Sequence, residues 1–185
     1  DGLVELMGGR DAFIGKLDSL FTADSKLEGE STSVDISGLI GQYAHGNEPS
    51  HHIAHLYNYV GQPWRTQEIV DEVLHTLYFN NPDGLSGNED CGQMSAWYIL
   101  NAMGFYQVCP GKPVYSIGRP LFNEATVHLK DGKSFKVIAH NNSRDNKYVQ
   151  SIVLNGNKLE TPFFTHQDIV DGGTLELTMG SEPLK

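Results

Sequence analysis

Residues 91–105 read CGQMSAWYILNAMGF, a helix-length segment that is apolar on nearly every side. A helix of this kind is stable in water only when other elements surround it. We therefore place this helix in the interior of a larger helical structure.

Three segments before residue 91 have the apolar spacing of helices. In RDAFIGKLDSLFTA (10–23), apolar side chains recur every three or four positions, as one buried face requires. PWRTQEIVDEVLHTLYF (63–79) has Pro63 in its first turn, a position that suits proline. Between them, PSHHIAHLYNYVG (49–61) predicts a helix that Gly61 ends. The predicted apolar faces, in chain order, are Phe13, Ile14, Leu17, Leu20 and Phe21; Ile53, Leu56, Tyr57 and Val60; and Val70, Val73, Leu74 and Leu77.

After about Val108 the sequence changes to short runs bounded by turn residues. The runs are PVYSIG (113–118), ATVHL (125–129), SFKVIAH (134–140), YVQSIVLN (148–155), KLE (158–160) and TLELTM (174–179). KDGK (130–133) between two of these runs is a strong hairpin signal, and Asn155-Gly156 marks a second turn. The predicted fold class is therefore α+β, with helical hairpins over residues 1–108 and a small antiparallel β unit over residues 109–185.

Length and composition limit the class of protein. With 185 residues, 39% of them apolar, the chain can bury the core of one large domain or two small ones. No apolar run approaches the roughly 18 residues of a membrane-spanning helix. The chain begins at Asp1 without an initiator Met, so we expect a piece of a longer protein. Cys91 and Cys109 are too few for a disulfide framework and do not form a CxxC motif, although a single bridge between them remains open.

The acidic residues are concentrated in the first part of the chain. Residues 1–107 carry 4 Lys and Arg against 15 Asp and Glu, whereas residues 108–185 carry 9 against 8. An acidic surface repels nucleic acid and anionic membranes, and it favours a neutral or cationic ligand or a metal ion. A solvated acidic face without a ligand is the alternative interpretation.

Two loops share a pattern in which glycine is followed by Asn and an acid, just before a predicted helix. They read GNEPSHH at residues 46–52 and GNEDCGQ at residues 87–93. Capping explains either loop taken alone, because carboxylates are stabilised by the positive end of a helix. If the helices pack as neighbouring hairpins, both loops open at the same end. The oxygen-bearing side chains brought together would be Asn47, Glu48, Asn88, Glu89 and Asp90.

Such a group of oxygen atoms suits two kinds of chemistry. Calcium takes about six to eight oxygen ligands, and paired carboxylates can act as acid and base on a glycosidic bond. A rival hypothesis is zinc, because His51 and His55 lie four residues apart with His52 beside them, although the HExxH motif is absent. Trp64, at a helix start, is a candidate for stacking on a sugar ring, although aromatic residues at helical spacing more often belong to a core.

Two long motifs resemble the C-terminal region of glycoside hydrolase family 92. They are GNEPSHHIAHLYNYVGQPWRTQ (46–67) and DGLSGNEDCGQMSAWYILNAMGFYQVCPG (83–111), and the resemblance spans nearly the whole chain. Members of this family are calcium-dependent, exo-acting α-mannosidases, many of them α-1,2-specific. The resemblance implies an N-terminal β-sandwich followed by an (α/α)6 barrel, with this chain supplying the last helices of the barrel and the trailing β segment.

The resemblance also implies roles for residues of the two loops. The family inverts the anomeric carbon, and Asp90 is our candidate for the base, with Glu89 assisting or orienting it. Asn47 and Glu48 are the candidate calcium ligands. Asn88, Glu48 and Trp64 are the candidate contacts to the substrate, a mannose-containing glycan such as an N-glycan.

The family's general acid is expected upstream of Asp1, so we expect negligible hydrolysis by this chain without the missing N-terminal region. Export to the periplasm or surface of a bacterium is implied by the resemblance alone. The alternative is a non-catalytic carbohydrate-binding or scaffolding module.

Overall fold

The computed structural model describes residues 2–27 and 36–185, so Asp1 and residues 28–35 lie outside the described part of the chain. The helices are α1 (Gly2–Leu6), α2 (Arg10–Thr22), α3 (Leu56–Tyr59), α4 (Pro63–Thr76), α5 (Gln93–Met103) and α6 (His166–Val170). Helices α1 to α5 lie in the first part of the chain, and most of the strands lie after residue 104. Within the described residues, no helix is long and apolar enough to cross a bilayer.

Within residues 2–27 and 36–185, the strands form three sheets. In chain order they are β1 (Leu39–Ile40), β2 (Tyr43–Ala44), β3 (Phe105–Tyr106), β4 (Val114–Ile117), β5 (Glu124–His128), β6 (Ser134–His140), β7 (Tyr148–Leu154), β8 (Asn157–Lys158), β9 (Phe163–Thr165) and β10 (Gly173–Gly180). The largest sheet has the strand order β5-β6-β10-β7-β8, a second has the order β3-β4-β9, and β1 pairs with β2.

The helical part has its own apolar core, which the sequence periodicity predicted well. Helix α2 buries Phe13, Leu17 and Phe21, and α4 buries Val70 and Val73 among others. These side chains share one buried cluster with Trp97 of α5. Pro63 opens α4 at its first turn, as predicted.

The prediction of one regular helix over residues 49–61 is wrong. The segment consists of two 3-10 turns, Glu48–Ser50 and Ile53–His55, followed by the single turn of α3. Side chains of neighbouring elements hold this backbone: the Thr66 hydroxyl donates to Ala54 O (2.9 Å), and the Trp97 indole donates to His51 O (3.0 Å). Tertiary contacts of this kind override the helical spacing that the sequence shows.

The β segments follow the predicted alternation and turns. Asp131 and Gly132 have φ of 60° and 72° between β5 and β6, and Asn155 and Gly156 have φ of 49° and 78° between β7 and β8. Positive φ at both central residues matches the right-handed twist of the flanking strands, which is why such sequences form tight hairpins. Both predicted turns are confirmed.

The expectation of a purely antiparallel unit needs one correction. Strand β10 pairs antiparallel with β7 but parallel with β6, from Gly173 beside Phe135 to Thr178 beside His140. The last strand therefore inserts between two strands that precede it in the chain. Its side chains Leu175, Leu177 and Met179 point into the core of the sheet. Alternation within a strand sets which face is buried, but it carries no information about the neighbouring strand or its direction.

Polar contacts join the helical part to the β part. Asn58 donates to Ser116 Oγ (2.7 Å) and to Ile117 O (2.8 Å), and Tyr148 donates to Glu68 (2.8 Å). A boundary between residues 108 and 109 stays a prediction. Helix α5 has one face open within this chain, because the Ile99 side chain is 51% exposed.

Candidate active site

Two glycines allow the GNEP and GNED loops to touch. A Cβ atom built on Gly46 would overlap Ser86 O and Ser37 Oγ, and one built on Gly87 would lie 3.2 Å from Gly46 O. Gly87 also has φ of +108°, a conformation that other residues rarely adopt. The backbones therefore approach as closely as they do only because neither position carries a side chain. This answers why both loops contain a glycine at the same place.

The contact brings two carboxyl groups together. Glu48, from the first loop, is hydrogen-bonded through its side chain to Asp90, from the second loop. The pKa of Glu48 lies below its ordinary value, first because its own backbone N–H donates to it, and then because of the bond with Asp90 and the nearby His51. Glu48 is half-buried and Asp90 is exposed, so the pair opens to solvent.

The backbone around Asp90 has an unusual conformation. Asp90, Cys91 and Gly92 have φ of 52°, 58° and 93°, three consecutive residues in the left-handed region. Such a conformation costs a residue with a side chain roughly 1–2 kcal/mol. The turn directs Asp90 toward the GNEP loop immediately before α5 begins at Gln93. Strained backbone of this kind is found preferentially at functional sites, and Asp90 lies in such a turn.

Glu89 has a different position from Asp90. Its two carboxylate oxygens accept hydrogen bonds from the backbone N–H (3.1 Å) and the hydroxyl (2.9 Å) of Ser95, in the first turn of α5. These bonds cap the helix, as the capping interpretation of the loop anticipated. Asn88, by contrast, is exposed on the same loop. The roles in catalysis and binding given to both residues stay predictions.

Behind the loops lies a network of buried polar side chains, centred on His51. The His51 ring donates from Nε2 to His45 O (3.0 Å) and accepts at Nδ1 from the Gln93 amide (3.1 Å). Because a carbonyl oxygen can only accept, the Nε2–H tautomer is fixed. Gln93 also donates to the Tyr106 hydroxyl (3.2 Å). The 3-10 turn that carries Glu48 is thereby attached to the first residue of α5.

His45 and His55 complete this network in the neutral state. The Tyr43 hydroxyl lies 2.8 Å from Nδ1 of His45, and the Tyr78 hydroxyl, which donates to Met94 O, lies 2.6 Å from its Nε2. His55 contacts Ser116 Oγ (3.1 Å) and Asn101 Oδ1 (2.8 Å). Burial is the largest cause that lowers the pKa of His45 to about 3 and that of His55 to about 4.

The zinc hypothesis is wrong for these histidines. His51 and His55 are both buried, and each ring nitrogen has a hydrogen-bonding partner. Among residues 2–27 and 36–185, no three His, Cys, Asp or Glu side chains form a cluster that could hold a metal ion. The spacing of the histidines therefore reflects packing.

The sequence analysis missed Gln93, Trp97 and Tyr78, whose hydrogen bonds hold the loops. Their spacing is that of ordinary helix residues.

Trp64 lies away from the loops. It stands at the start of α4, whereas Leu77, just beyond the end of that helix, accepts a hydrogen bond from Ser86 of the second loop (3.0 Å). A helix rises about 1.5 Å per residue, so the two ends are separated by roughly 20 Å. The structure therefore brings Glu48 and Asp90 together but leaves Trp64 at the opposite end of α4. Cys91 and Cys109 are both free thiols.

The oxygen atoms of the loop side chains are the type of ligand that a hard cation such as calcium prefers. The Glu48 and Asp90 carboxyl groups are close enough to share a hydrogen bond, so a proton or a cation between them relieves their repulsion. The amide oxygen of Asn47, the neighbour of Glu48, belongs to the same hard class of ligand. Since calcium takes about six to eight oxygens, these residues would form only one side of a complete coordination sphere.

Comparison with known proteins identifies the family. Residues 1–181 match the model of the glycosyl hydrolase family 92 catalytic domain. A protein named "Uncharacterized secreted glycosidase", from Arthroderma benhamiae, is 31% identical over 183 residues, which are 97% of this chain and 21% of that protein.

Solved structures agree with this assignment. A family GH92 α-mannosidase from Bacteroides thetaiotaomicron, solved in complex with mannoimidazole, is 43% identical, with a TM-score of 0.89 over 95% of this chain and 23% of its own. A family GH92 inverting mannosidase from the same organism is 44% identical, with a TM-score of 0.83 over 98% of this chain and 26% of its own. The chain thus spans about a fifth to a quarter of these relatives, and it belongs to glycosyl hydrolase family 92 as part of its catalytic domain.

Proposed function

We propose that the protein containing this chain is a calcium-dependent exo-α-mannosidase that removes terminal mannose from glycans with inversion. The observation that carries the proposal is the contact between Glu48 and Asp90, which joins the two motifs that resemble the family. The α-mannosidase names of the solved relatives, one of them in complex with mannoimidazole, support the substrate class. Another relative is named an inverting mannosidase, which supports the stereochemistry.

Asp90 acts as the general base in this proposal. An inverting enzyme needs a carboxylate that removes a proton from water, and a carboxylic acid about 6.5–9.5 Å away that protonates the leaving oxygen. Asp90 is exposed, and its turn aims it out of the helix start, so water can reach it. Asp90 must be ionised to act, so the proton of its hydrogen bond with Glu48 has to be lost before the reaction. The Asp90 carboxylate then takes one proton from the attacking water while the glycosidic bond breaks on the opposite face of the sugar.

Glu48 is not the acid partner of Asp90. The two groups are in hydrogen-bond contact, which is much closer than the separation that leaves room for a water and a sugar ring. The Glu89 carboxylate accepts two hydrogen bonds from Ser95 and caps α5, and in that position it orients the Asp90 loop. As the family resemblance implies, we infer that the acid is supplied from a segment upstream of Asp1, so the chain alone should hydrolyse α-1,2-mannobiose at a negligible rate.

Asn47 and Glu48 are the proposed calcium ligands. The lowered pKa of Glu48 keeps its carboxylate ionised, as a metal ligand must be. Bound calcium would supply positive charge to the hydroxyl groups of the sugar and help to distort its ring. Glu48 and Asn88 are the proposed contacts to the substrate, for which we infer an α-1,2 linkage and an origin in N-glycans. The helical hairpins then belong to an (α/α)6 barrel, and a secreted, periplasmic or cell-surface location in a bacterium is part of the same proposal.

Asp90→Asn tests the assignment of the base. In the full-length protein, we expect turnover of α-1,2-mannobiose to fall by at least about 100-fold, because the amide cannot accept the proton from water. Substrate binding, measured by calorimetry, should change little. Asp83→Asn is the matched control, since Asp83 is an exposed acid seven residues earlier. An Asp90→Asn enzyme with most of its activity would remove Asp90 from this role.

Calcium titration tests the metal ligands separately from turnover. Calcium is added to EDTA-treated full-length protein in a calorimeter, with and without mannose, and again with Glu48→Ala. Loss of binding in the variant would support Glu48 as a ligand. Unchanged calcium affinity in Glu48→Ala would exclude it.

A further inference from the structure

A cavity lies at the start of α4, away from the GNEP and GNED loops. It has a volume of about 170 Å³ and is formed by the first two turns of α4, strand β7 and the chain from Lys158 to Pro162. Trp64 and Gln67 line its helical side, and Ser151 and Thr161 lie on the strand side. Since its walls come from three elements of the described structure, the cavity is a feature of the fold rather than of one loop.

Gln67 lines this cavity, and its side-chain amide nitrogen has no acceptor within the described part of the chain. Its side chain is 3% exposed, and Oε1 accepts a hydrogen bond from the Val149 backbone N–H (3.1 Å). That bond orients the amide and leaves Nε2 without an acceptor among residues 2–27 and 36–185. Nε2 is not among the fully enclosed side-chain atoms without a partner, so this donor is accessible and can bond to an acceptor atom that enters the cavity.

Trp64 adds an aromatic surface to the same cavity. The side chain is half-buried, and in the described part of the chain its indole N–H has no acceptor. The other tryptophan, Trp97, is fully buried and donates to His51 O (3.0 Å). A tryptophan normally presents its N–H to a partner when it is enclosed, so Trp64 offers both a flat apolar surface and a free donor.

The charges at the cavity favour a neutral ligand. Lys158 and Glu160 both line the cavity, but they form an ion pair with each other (3.1 Å), so their charges cancel. The remaining polar groups include the two N–H donors and the hydroxyls of Ser151 and Thr161. A ligand that matches them has acceptor oxygens around an apolar ring face.

We propose that this cavity is a binding site for one pyranose ring of a neutral carbohydrate, distinct from the Glu48–Asp90 site. The ring stacks on Trp64, and one of its oxygens accepts a hydrogen bond from Gln67 Nε2. The volume limits the occupant to about one ring, since pockets for larger, drug-sized ligands begin near 300 Å³. The proposal goes beyond the hydrolytic reaction, because the cavity lies at the start of α4, a helix roughly 20 Å long, whereas Ser86 contacts the chain just beyond its other end.

Fluorine NMR tests the proposal directly. The full-length protein is labelled with 5-fluorotryptophan, and the signal of Trp64 is assigned by its absence in Trp64→Phe. Methyl α-D-mannoside is the probe, and mannitol, an open-chain polyol without a ring face, is the control. We expect a saturable shift of the Trp64 signal with the mannoside and none with mannitol. No saturable shift, or an equal shift with mannitol, would overturn the proposal.

Two variants locate the binding. Gln67→Glu keeps the acceptor for Val149 but removes the donor, so the affinity reported by Trp64 should fall about 2- to 10-fold. Glu48→Ala changes the other site and should leave this affinity unchanged. An unchanged affinity in Gln67→Glu, or an equal loss in Glu48→Ala, would contradict a separate site. Failure of this proposal leaves the Asp90 assignment intact, since that assignment is judged by turnover.

Discussion

The loop end of the helical part and the five-stranded sheet are built on different physical principles. The sheet buries a continuous apolar face that includes Phe135, Val137 and Leu175, and its turns are closed by residues suited to positive φ. The loop end also packs aromatic rings, with Tyr43, Tyr78 and Trp97 in contact around His45. It is held by glycines in backbone contact, such as Gly46 and Gly87, and by buried histidines with hydrogen-bonding partners.

This difference shows where function can be placed. A sheet core tolerates rearrangement of similar apolar side chains, because burial is not directional. The loop end depends on specific distances and hydrogen-bond directions, so it can hold two carboxyl groups in contact at the surface. The five-stranded sheet therefore contributes mainly stability, whereas the loop end fixes the relative positions of the Glu48 and Asp90 side chains.

The largest effect on stability is expected in the sheet. Leu175→Ala removes a fully buried side chain from the central strand β10 and leaves a cavity, which should cost about 4 kcal/mol of the unfolding free energy. Urea unfolding of the 185-residue chain measures this, with Thr126→Ala on the exposed face of β5 as the control. A cost below about 1 kcal/mol would mean that burial does not stabilise this sheet.

Gly46→Ala should produce a smaller loss of stability but a larger loss of function. The added methyl overlaps Ser86 O, so the loops must separate, at a cost of about 3 kcal/mol. Because Glu48 then moves away from Asp90, calcium affinity and turnover of the full-length protein should fall with it. Gly111→Ala is the control, since no atom lies within 4 Å of a Cβ at that position. Normal turnover in Gly46→Ala would contradict the role given to the glycine contact.

The buried histidines make the loop end sensitive to acid. The pKa of His55 is about 4 in the folded chain and about 6.5 when unfolded, so protonation favours the unfolded state. The stability that neutral His55 contributes is fully present above pH 6.5 and is lost as the pH falls toward 4. At pH 4.5 the free energy of unfolding should be lower by about 2–3 kcal/mol.

His55→Gln should remove this part of the pH dependence, whereas His128→Gln, at an exposed position on β5, should not. Unfolding free energies at pH 7.0 and 4.5 provide the comparison. An identical pH dependence in wild type and His55→Gln would show that the neutral histidine is not required.

The smallest effect on stability is expected for Glu89→Gln, a substitution that distinguishes a capping role of Glu89 from a catalytic one. Glu89→Gln keeps an acceptor for Ser95 but removes the charge at the start of α5, which should cost about 1 kcal/mol of stability. Turnover of α-1,2-mannobiose should fall far less than in Asp90→Asn. A loss of turnover as large as that of Asp90→Asn would give Glu89 a direct part in the reaction.

Prediction from sequence succeeded where a residue's environment follows from its near neighbours. The apolar spacing of α2 and α4 placed Phe13, Leu17 and Val70 in the core, and the turn residues at 131–132 and 155–156 closed the two hairpins. It failed over residues 49–61 and for the parallel pairing of β10. In both places, contacts with distant segments determine the backbone.

The sequence by itself therefore determined the helices α2, α4 and α5, the strands with their hairpins, and the two motifs that carry the family. Only the tertiary structure decided that Glu48 touches Asp90, that Glu89 rather than Asp90 bonds to Ser95 of α5, and that Trp64 lies at the far end of α4. The physical reason is the distance along the chain over which each interaction acts. Periodicity and turn preference act within a few residues, whereas the separation of two side chains on different loops depends on how every intervening element packs.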